Sequence, residues 1–393
     1  MKNALFLFLF VNLIISSSKC EILMKNSTDE PTTVQQIFER VRAHEFNPLN
    51  EENSLTIDRK LNVDGIADLN NDDWRVRLLA VRDLVTEGIA KVGEIAKGLV
   101  DISIDVRQIS AMTLGILNAK SAINALEHVV RTDDNTMVRS QAVIALGQLE
   151  SKESLSLLRE KLKEDSSRDV RHQCELAIYQ IENQMGVTNK QLAAFLSLDK
   201  STFETAKKGL VAPDFVLEDT EGKEWQLSLF RNKKWVILIW VFADWCPVCH
   251  SEFHDLMKKR EEFNKAAVQV FTLEIHDKYR GRVMVGKELE PSYWFSKESF
   301  KEAYTKQIWW PHLLDRAGKN AAIYGADPLA FSVHAEYINR PTTVIIDPQG
   351  MVRYIYNGTF WGDRPTIEQT LKMIENEDFT FEHAQRRKDK KYD

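Results

Sequence analysis

A valine–arginine pair recurs in the hydrophobic pattern of the first half of the chain. Its four copies lie 30, 32 and 32 residues apart, each after a polar or acidic turn: Val76-Arg77, Val106-Arg107, Val138-Arg139 and Val170-Arg171. A small residue stands three positions after each arginine and an aliphatic residue seven positions after it, so these positions share one face of a helix. Units of this length bury that face only by stacking on their neighbours. The pattern predicts an all-α solenoid over residues 68–200, whose arginines join adjacent repeats through backbone carbonyls or turn aspartates.

The period changes after residue 203, where short apolar runs begin to alternate with helical patterns. Residues 235–242 are continuously apolar, as in a strand that is buried on both faces of a sheet. Further strands are predicted over 268–275, 342–346 and 351–356, and helices over 252–265, 296–307 and 366–374. The second half is therefore predicted to be an α/β domain over residues 205–378, which gives the chain two domains.

The first 18 residues predict a signal peptide, because Lys2 precedes an apolar run over 4–15 and three serines follow it. That run is shorter than the roughly 20 apolar residues that span a membrane. We therefore expect an exported protein, periplasmic or extracellular, without a transmembrane segment. Lipid attachment at Cys20 is the less favoured alternative. Two further segments complete the division of the chain: an N-terminal extension or cap over 19–67 and a charged tail over 379–393.

Net charge and cysteine spacing reduce the number of function classes that fit the sequence. The formal charge is −6 over 393 residues and no basic stripe is present, which argues against a nucleic-acid binder. Only Cys246 and Cys249 of the four cysteines are close in sequence, which indicates redox catalysis rather than a structural disulfide framework. Cys174 takes the place of a small residue in the fourth repeat and is expected to be buried. His250 and His254 lie near the pair, but no suitably spaced Cys/His partners support zinc, and we expect no metal and no cofactor.

Four separated motifs carry a resemblance to a known family. They are Ala212-Pro213-Asp214-Phe215, Trp245-Cys246-Pro247-Val248-Cys249 with Glu252, Arg340-Pro341-Thr342-Thr343, and Asp347 through Gly350. In this order they resemble the TlpA/ResA-like thiol–disulfide oxidoreductases, which are related to the AhpC/TSA group. The recurring phrase of the first half resembles HEAT-like repeats of the phycobilisome-lyase type. The two resemblances imply a HEAT-like solenoid followed by a thioredoxin-like domain with a redox-active Cys246–Cys249 disulfide.

The position of the cysteine pair predicts its chemistry. Cys246 precedes a predicted helix, whose unpaired amides and dipole favour an anion, so its pKa is expected to fall and its thiolate to act as the nucleophile. Cys249, one turn later, is expected to resolve the mixed disulfide. The resemblance implies that Pro341 is cis and faces the cysteines, which leaves the backbone before it free to pair with a substrate strand. Arg340 would then stabilise the thiolate; a solvent-facing arginine is the alternative.

The proton acceptor departs from the thioredoxin pattern. Thioredoxin carries a buried acid six residues before the first cysteine, and this chain has Trp240 there. Glu274 on the next strand is the candidate acceptor, although an exposed glutamate at a strand end fits the sequence slightly better. Glu252 is interpreted as a surface residue of the helix that follows the cysteines.

Three function classes remain open. The first is an exported thiol–disulfide oxidoreductase that acts on protein disulfides or dithiols, exchanges electrons with an upstream redox partner and holds a protein partner on its repeats. The second is a peroxiredoxin-like antioxidant, or thiol peroxidase. The threonine and proline that hold peroxide in that group are replaced here by Ala243 and Ile239. The third is a binding scaffold with an inactive thioredoxin fold, against which the intact cysteine pair speaks. The sequence favours the first class.

Overall fold

The computed structural model describes residues 65–288, 307–329, 331–333, 336–358 and 364–380. The predicted signal peptide with Cys20 and most of both the 19–67 extension and the charged tail lie outside these ranges. So does the predicted helix over 296–307, apart from its last residue. Within the described ranges, no helix is long and apolar enough to cross a membrane.

The described part of the first half is helical, as predicted. Its helices are α1 (Trp74–Glu87), α2 (Val92–Gly98), α3 (Ile104–Ile116), α4 (Ile123–Thr132), α5 (Thr136–Gln148), α6 (Leu155–Glu164), α7 (Arg168–Glu182) and α8 (Asn189–Leu196). Contacts between α3 and α5 and between α5 and α7 stack successive repeats on each other. Cys174 lies within this stack on α7 with no exposed surface, as its place in the repeat predicts.

Each repeat begins its first helix at a polar turn that caps the helix. The capping side chain stands three residues before the recurring valine and accepts a backbone amide of the first turn: Asp73, Ser103, Asn135 and Ser167. Such a cap satisfies an amide that has no partner inside the helix and stabilises it by about 1 kcal/mol. The start of the helix is therefore encoded at the same position of every repeat.

The recurring arginines join neighbouring repeats, as predicted. Arg107 on α3 donates from Nε to Asp133 Oδ2 at 2.8 Å, and Arg139 on α5 donates from Nη2 to Asp165 Oδ1 at 2.9 Å. Both arginines also donate from Nη1 to a carbonyl six residues earlier in their own turn, at 2.9 and 3.0 Å. A guanidinium makes both contacts at once because it carries five donors in a planar fork. Each arginine therefore connects its own turn to the turn of the next repeat.

The second half, hereafter the sheet domain, alternates strands and helices. Its strands are β1 (Val216–Glu218), β2 (Glu224–Gln226), β3 (Trp235–Trp240), β4 (Val268–Glu274), β5 (His312–Leu314), β6 (Phe331–Val333), β7 (Glu336–Ile338), β8 (Thr342–Ile346) and β9 (Val352–Asn357). Its helices are α9 (Pro247–Lys258), α10 (Arg260–Lys265), α11 (Lys278–Met284), α12 (Lys319–Ile323) and α13 (Ile367–Glu375).

A five-stranded mixed sheet forms the centre of this domain, in the order β5-β4-β3-β8-β9. Strand β3 pairs in parallel with β4 and antiparallel with β8. Strand β9 pairs back on β8 as the predicted hairpin partner, after a turn that ends at Gly350 with a φ of 85°. Both faces of β3 are buried, which explains its continuous apolar run. The α/β prediction is confirmed, and the cysteine pair follows the central strand.

Helices α1, α3 and α7 of the repeats pack against the sheet domain. The contacts include hydrogen bonds from Arg77 Nε to Leu329 O at 3.2 Å, from Gln108 Nε2 to Ser332 Oγ at 2.8 Å and from Tyr279 OH to Leu176 O at 3.0 Å. The segment between the halves also bonds to the sheet domain, because the amide of Glu204 donates to Ala322 O at 2.8 Å. Repeats and sheet domain thus share one compact unit.

Replacing Arg139 with alanine should lower the free energy of unfolding in urea by about 3 kcal/mol, because it leaves the buried Asp165 carboxylate unpaired. The matched control is Arg159→Ala, because the Arg159–Glu182 pair is solvent-exposed, at 53% and 46% of the side chains. That control should cost less than about 1 kcal/mol. Equal losses for the two variants would contradict the role assigned to the recurring arginines.

Candidate active site

The two cysteines meet where the central strand gives way to a helix. Strand β3 ends at Trp240, and α9 begins at Pro247 with Cys246 as its N-cap residue. The Cys246 sulfur accepts the amide of Cys249 at 3.4 Å. Proline suits the first helical position because no amide hydrogen is needed there. Both thiols are free of disulfide bonds, and neither cysteine has any exposed surface.

The structure shifts the pKa of Cys246 in the direction opposite to the expected one. Burial raises the pKa of Cys246 well above its ordinary value, and the neighbouring Cys249 raises it further. The prediction of a lowered pKa at Cys246 is therefore wrong for this state, because desolvation of the buried sulfur outweighs the helix terminus. At Cys249 burial also acts to raise the pKa, but the Cys246 hydrogen bond, the charge of Arg364 and the amide of Phe242 together lower it. Arg364 and the Phe242 amide thus favour a negative charge on Cys249.

Arg364 is the site residue that the sequence analysis missed. Its side chain is buried, and its Nη2 lies 3.5 Å from the Cys249 sulfur. Its Nη1 donates to Trp240 O at 2.7 Å, and its Nε donates to Glu252 Oε1 at 2.5 Å. One guanidinium therefore connects the end of β3, the helix α9 and the second sulfur. The order of residues offers no signal for this contact, since Arg364 and Glu252 are 112 positions apart.

Glu252 is not the surface residue that the sequence suggested. It lies three residues after Cys249 on α9, is only 9% exposed, and forms an ion pair with Arg364. Burial raises the pKa of its carboxyl, while the charge of Arg364 acts in the opposite direction. The helix turns this residue toward Arg364 because positions three apart share a face. Glu252 is therefore the acid that the structure places beside the cysteine pair.

Arg340 lies next to a different acid. It forms an ion pair with Asp327 and donates from Nη1 to Gly358 O at 3.4 Å. The guanidinium of Arg340 is largely buried against the Asp327 carboxylate. The predicted contact with the Cys246 sulfur is therefore wrong, and so is the solvent-facing alternative. The cation beside the cysteines is Arg364 instead.

The peptide bond before Pro341 is trans, so the expected cis proline is corrected. The Arg340 carbonyl accepts Asn339 Nδ2 at 2.8 Å, and the Pro341 carbonyl accepts the amide of Gly358 at 2.8 Å. These bonds hold the backbone before β8 in place, and the trans form is also the intrinsically preferred one. A substrate-positioning role of Pro341 stays a prediction.

Glu274 is buried rather than exposed at the end of β4. Its carboxylate lies 3.3 Å from His312 Nε2, and His312 Nδ1 is 2.8 Å from Thr272 Oγ1. In the described part of the chain neither sulfur contacts this pair, and the proton-acceptor role of Glu274 stays a prediction. Trp240, which takes the place of the buried acid of thioredoxin, donates from its indole to the buried Asp315 at 3.0 Å.

Comparison with known proteins agrees with this geometry. Residues 209–355 match the AhpC/TSA family, and residues 89–178 match HEAT repeats. The sheet domain is an AhpC/TSA-type thioredoxin-fold domain.

Two groups of relatives resemble the AhpC/TSA domain about equally. The thiol-disulfide oxidoreductase ResA of Geobacillus thermodenitrificans is 28% identical over 166 residues, which cover 42% of this chain and 77% of that protein. The chloroplastic peroxiredoxin Q of Triticum aestivum is 28% identical over 169 residues, which cover 43% of this chain and 67% of that protein. The predicted resemblance is therefore confirmed, and the relatives support a thioredoxin-like oxidoreductase.

A second charged cluster lies on the loop before Cys246. Arg280 Nη2 of the AhpC/TSA domain lies 2.5 Å from both Asp244 Oδ1 and Glu336 Oε1. Glu336 also accepts the indole of Trp245 at 3.4 Å and Gln173 Nε2 of the HEAT repeats at 2.8 Å. This Arg280 cluster (Arg280, Asp244, Glu336, Trp245 and Gln173) connects the loop over residues 241–246, hereafter the redox loop, to helix α7.

His250 stays neutral at physiological pH. Burial lowers its pKa to about 4, and its Nε2 lies 2.5 Å from Asp244 O. Across the described ranges, no group of three His, Cys, Asp or Glu side chains is arranged to hold a metal ion. His250 therefore supports the backbone of the redox loop.

Replacing Arg364 with glutamine should raise the pKa of Cys249, because it removes the positive charge next to that sulfur. Arg364→Lys should restore part of the effect. The measurement is the pH dependence of iodoacetamide labelling, with the modified cysteine identified by mass spectrometry. Arg340→Gln is the matched control, since that buried arginine also pairs with a carboxylate but does not touch a sulfur. An equal shift in both variants would remove Arg364 from the site.

Proposed function

We propose that the protein is an exported thiol–disulfide oxidoreductase that uses Cys246 and Cys249 on protein substrates. The observation that carries this proposal is the Cys249 sulfur, which is held 3.5 Å from the Arg364 guanidinium and 3.3 Å from the amide of Phe242. A cation and an amide hydrogen are the partners that a thiolate needs. The ResA relatives support a dithiol that exchanges with disulfides.

The reaction needs two displacement steps at sulfur. In the first, the Cys246 thiolate attacks a substrate disulfide, forms a mixed disulfide and releases one substrate thiolate. In the second, the Cys249 thiolate attacks the Cys246 sulfur, and the bond from Cys246 to the substrate breaks. The pair loses two electrons and the substrate gains them, and the released substrate thiolates take up from the solvent the protons that the two cysteines gave up on becoming thiolates. The reverse sequence oxidises a substrate dithiol.

Arg364 assists the second step. Its charge lowers the pKa of Cys249 and so favours the thiolate that resolves the mixed disulfide. It also reduces the nucleophilicity of that sulfur, because a lower pKa gives a weaker nucleophile. The buried Glu252 limits this stabilisation, since its charge raises the pKa of Cys249. The Arg364–Glu252 pair therefore sets the balance between the dithiol and the disulfide.

The remaining parts of the proposal concern location and partners. The N-terminal segment favours export to the periplasm or the extracellular space, where disulfide-containing protein substrates occur. An upstream redox partner returns the pair to its starting state. The HEAT repeats serve as a protein-interaction module.

A thiol peroxidase is the second candidate. The peroxiredoxin Q relatives favour it, because they match the AhpC/TSA domain as well as the ResA proteins do. Against it stand Ala243 and Ile239, which supply no hydroxyl and no proline at the positions that hold peroxide in that group. Both residues are buried.

Replacing Cys249 with alanine should trap substrates as mixed disulfides on Cys246, because the resolving thiol is missing. Replacing Cys246 with serine should abolish the reduction of insulin disulfides. Cys174→Ala is the matched control and should retain full activity, since burial raises the pKa of that thiol and alanine occupies the same repeat position in earlier copies. Full activity of Cys246→Ser would contradict the proposed nucleophile.

Peroxide consumption separates the two candidates. The reduced protein should consume hydrogen peroxide slowly, because the site lacks the donors named above. Turnover of peroxide faster than turnover of insulin, in the same buffer and with the same reductant, would favour the peroxidase. Ala243→Thr is an informative variant, since a hydroxyl at this position should increase peroxide turnover without increasing insulin reduction.

A further inference from the structure

The redox pair is buried, and Glu336, which accepts the indole of the preceding Trp245, also accepts Gln173 of the repeats. Cys246, Cys249 and the preceding Trp245 have at most 2% of their surface exposed. A protein disulfide must reach the Cys246 sulfur along the line of attack, so a protein substrate cannot react in this arrangement. Some part of the structure therefore has to move away before the proposed reaction begins.

Helix α7 of the last HEAT repeat contacts the redox loop through the Arg280 cluster. Gln173 donates to Glu336 at 2.8 Å and accepts Arg280 Nη1 at 3.4 Å. Arg280 binds Asp244, which stands two residues before Cys246. The side chains of Arg280 and Glu336 keep their charges satisfied in a buried setting only while these contacts hold. Gln173 is thus the neutral residue through which α7 joins a cluster of one arginine and two carboxylates.

A tyrosine pair forms the rest of the α7 contact. Tyr279 donates to Leu176 O at 3.0 Å and stacks on Tyr179 with 6.2 Å between ring centroids. Tyr179 in turn donates to Glu288 at 3.2 Å. Arg280 and Tyr279, which both contact α7, are neighbours on α11. Movement of α7 therefore disturbs the cluster and the tyrosine pair together.

The interface beside this contact is incompletely packed. A cavity of about 100 Å³ lies between the repeats and the AhpC/TSA domain, lined by Gln141, Gln148 and Gln191 among other residues. Gln148 Oε1 and Gln191 Oε1 are buried there without a hydrogen-bond partner among the described residues. Interfaces with these properties resemble separable domain contacts rather than a continuous core. The structure therefore combines a specific contact at α7 with a weak surface beside it.

We propose that helix α7 is a gate over the dithiol, and that protein disulfides react only after α7 leaves the Arg280 cluster. The inference rests on the thiol–disulfide function proposed above and names its regulation. It assigns the repeats an intramolecular partner, the redox face of the AhpC/TSA domain. A protein that bound the repeats and displaced α7 would open the site to its own disulfide.

Release of the gate also activates the nucleophile. Burial is the largest cause of the raised Cys246 pKa. Exposure of the loop removes that cause, while the helix terminus and the charge of Arg364 remain and favour the thiolate. Access and reactivity of Cys246 therefore increase in the same event.

The test uses the reduced full-length protein and the variant Gln173→Glu. A carboxylate at this position cannot donate to Glu336, and it adds a third negative charge to a cluster that holds one arginine and two carboxylates, so it should displace α7. We expect the rate of iodoacetamide labelling at Cys246 and the rate of insulin reduction to rise about tenfold or more, which corresponds to about 1.4 kcal/mol of lost docking free energy. A thermal unfolding curve of the variant is the control that tests whether both domains remain folded.

Gln184→Glu is the matched control. It makes the same change from an amide to a carboxylate at an exposed position just after the end of α7. Its side chain has no hydrogen bond to the Arg280 cluster among the described contacts. Labelling and insulin reduction should stay within about twofold of the wild type, as for most surface substitutions away from a specific contact.

The outcomes separate the gate from the function. If wild type and Gln173→Glu reduce insulin at the same rate, the gate is wrong although the function holds. If neither reduces insulin or the small disulfide cystamine, the proposed function itself fails. If Gln173→Glu does not fold, the milder double variant Gln173→Ala with Tyr279→Phe replaces it, and hydrogen exchange of residues 242–250 supplies the readout. Unchanged exchange in that variant would also overturn the gate.

Discussion

A buried guanidinium needs negative charge beside it, and Arg364 imposes this need on the centre of the AhpC/TSA domain. An unpaired buried charge costs several kcal/mol, so its neighbours must supply an anion and acceptors. Glu252 supplies a full charge, Trp240 supplies a carbonyl, and Cys249 supplies a polarisable sulfur. Arg364 therefore binds the end of β3, the helix α9 and the Cys249 thiol at the same time, and these contacts hold the three in one arrangement. The reactivity of the thiol pair follows from that arrangement.

A second buried arginine acts on the other side of the redox loop with a different result. Arg280 lies between Asp244 and Glu336, whose charges raise its pKa even though burial acts to lower it. Neither carboxylate is bonded to a sulfur, so this cluster positions the loop and does not tune a thiol. It extends through Gln173 to the HEAT repeats. Two buried arginines thus flank the redox loop. Arg364 lies beside the Cys249 sulfur, and Arg280 belongs to the cluster that contacts the repeats.

Equivalent positions of the repeats perform different tasks. Arg107 and Arg139 pair with an aspartate of the following repeat, whereas Arg77 in the first repeat donates to Leu329 of the AhpC/TSA domain. Repetition supplies a regular stack, and small departures from it supply the contacts with the second domain. Gln173 shares its residue type with Gln141 one repeat earlier, but it contacts the buried Glu336 of the AhpC/TSA domain and satisfies that carboxylate without adding a charge.

The sequence by itself determined what is local or periodic. The solenoid follows from a phrase repeated at near-constant spacing, the central sheet follows from apolar runs, and the start of α9 at the cysteine pair follows from the strand before it and the proline within it. These features depend on residues close to each other along the chain.

Only the tertiary structure decided which groups surround the sulfurs. Arg364 reaches Glu252 across 112 positions, and Glu274 is buried against His312. The sign of the Cys246 pKa shift depends on desolvation, which no local pattern encodes because the covering residues come from distant parts of the chain. Burial and long-range pairing arise only when separate elements pack together, and these two quantities set the chemistry of this site.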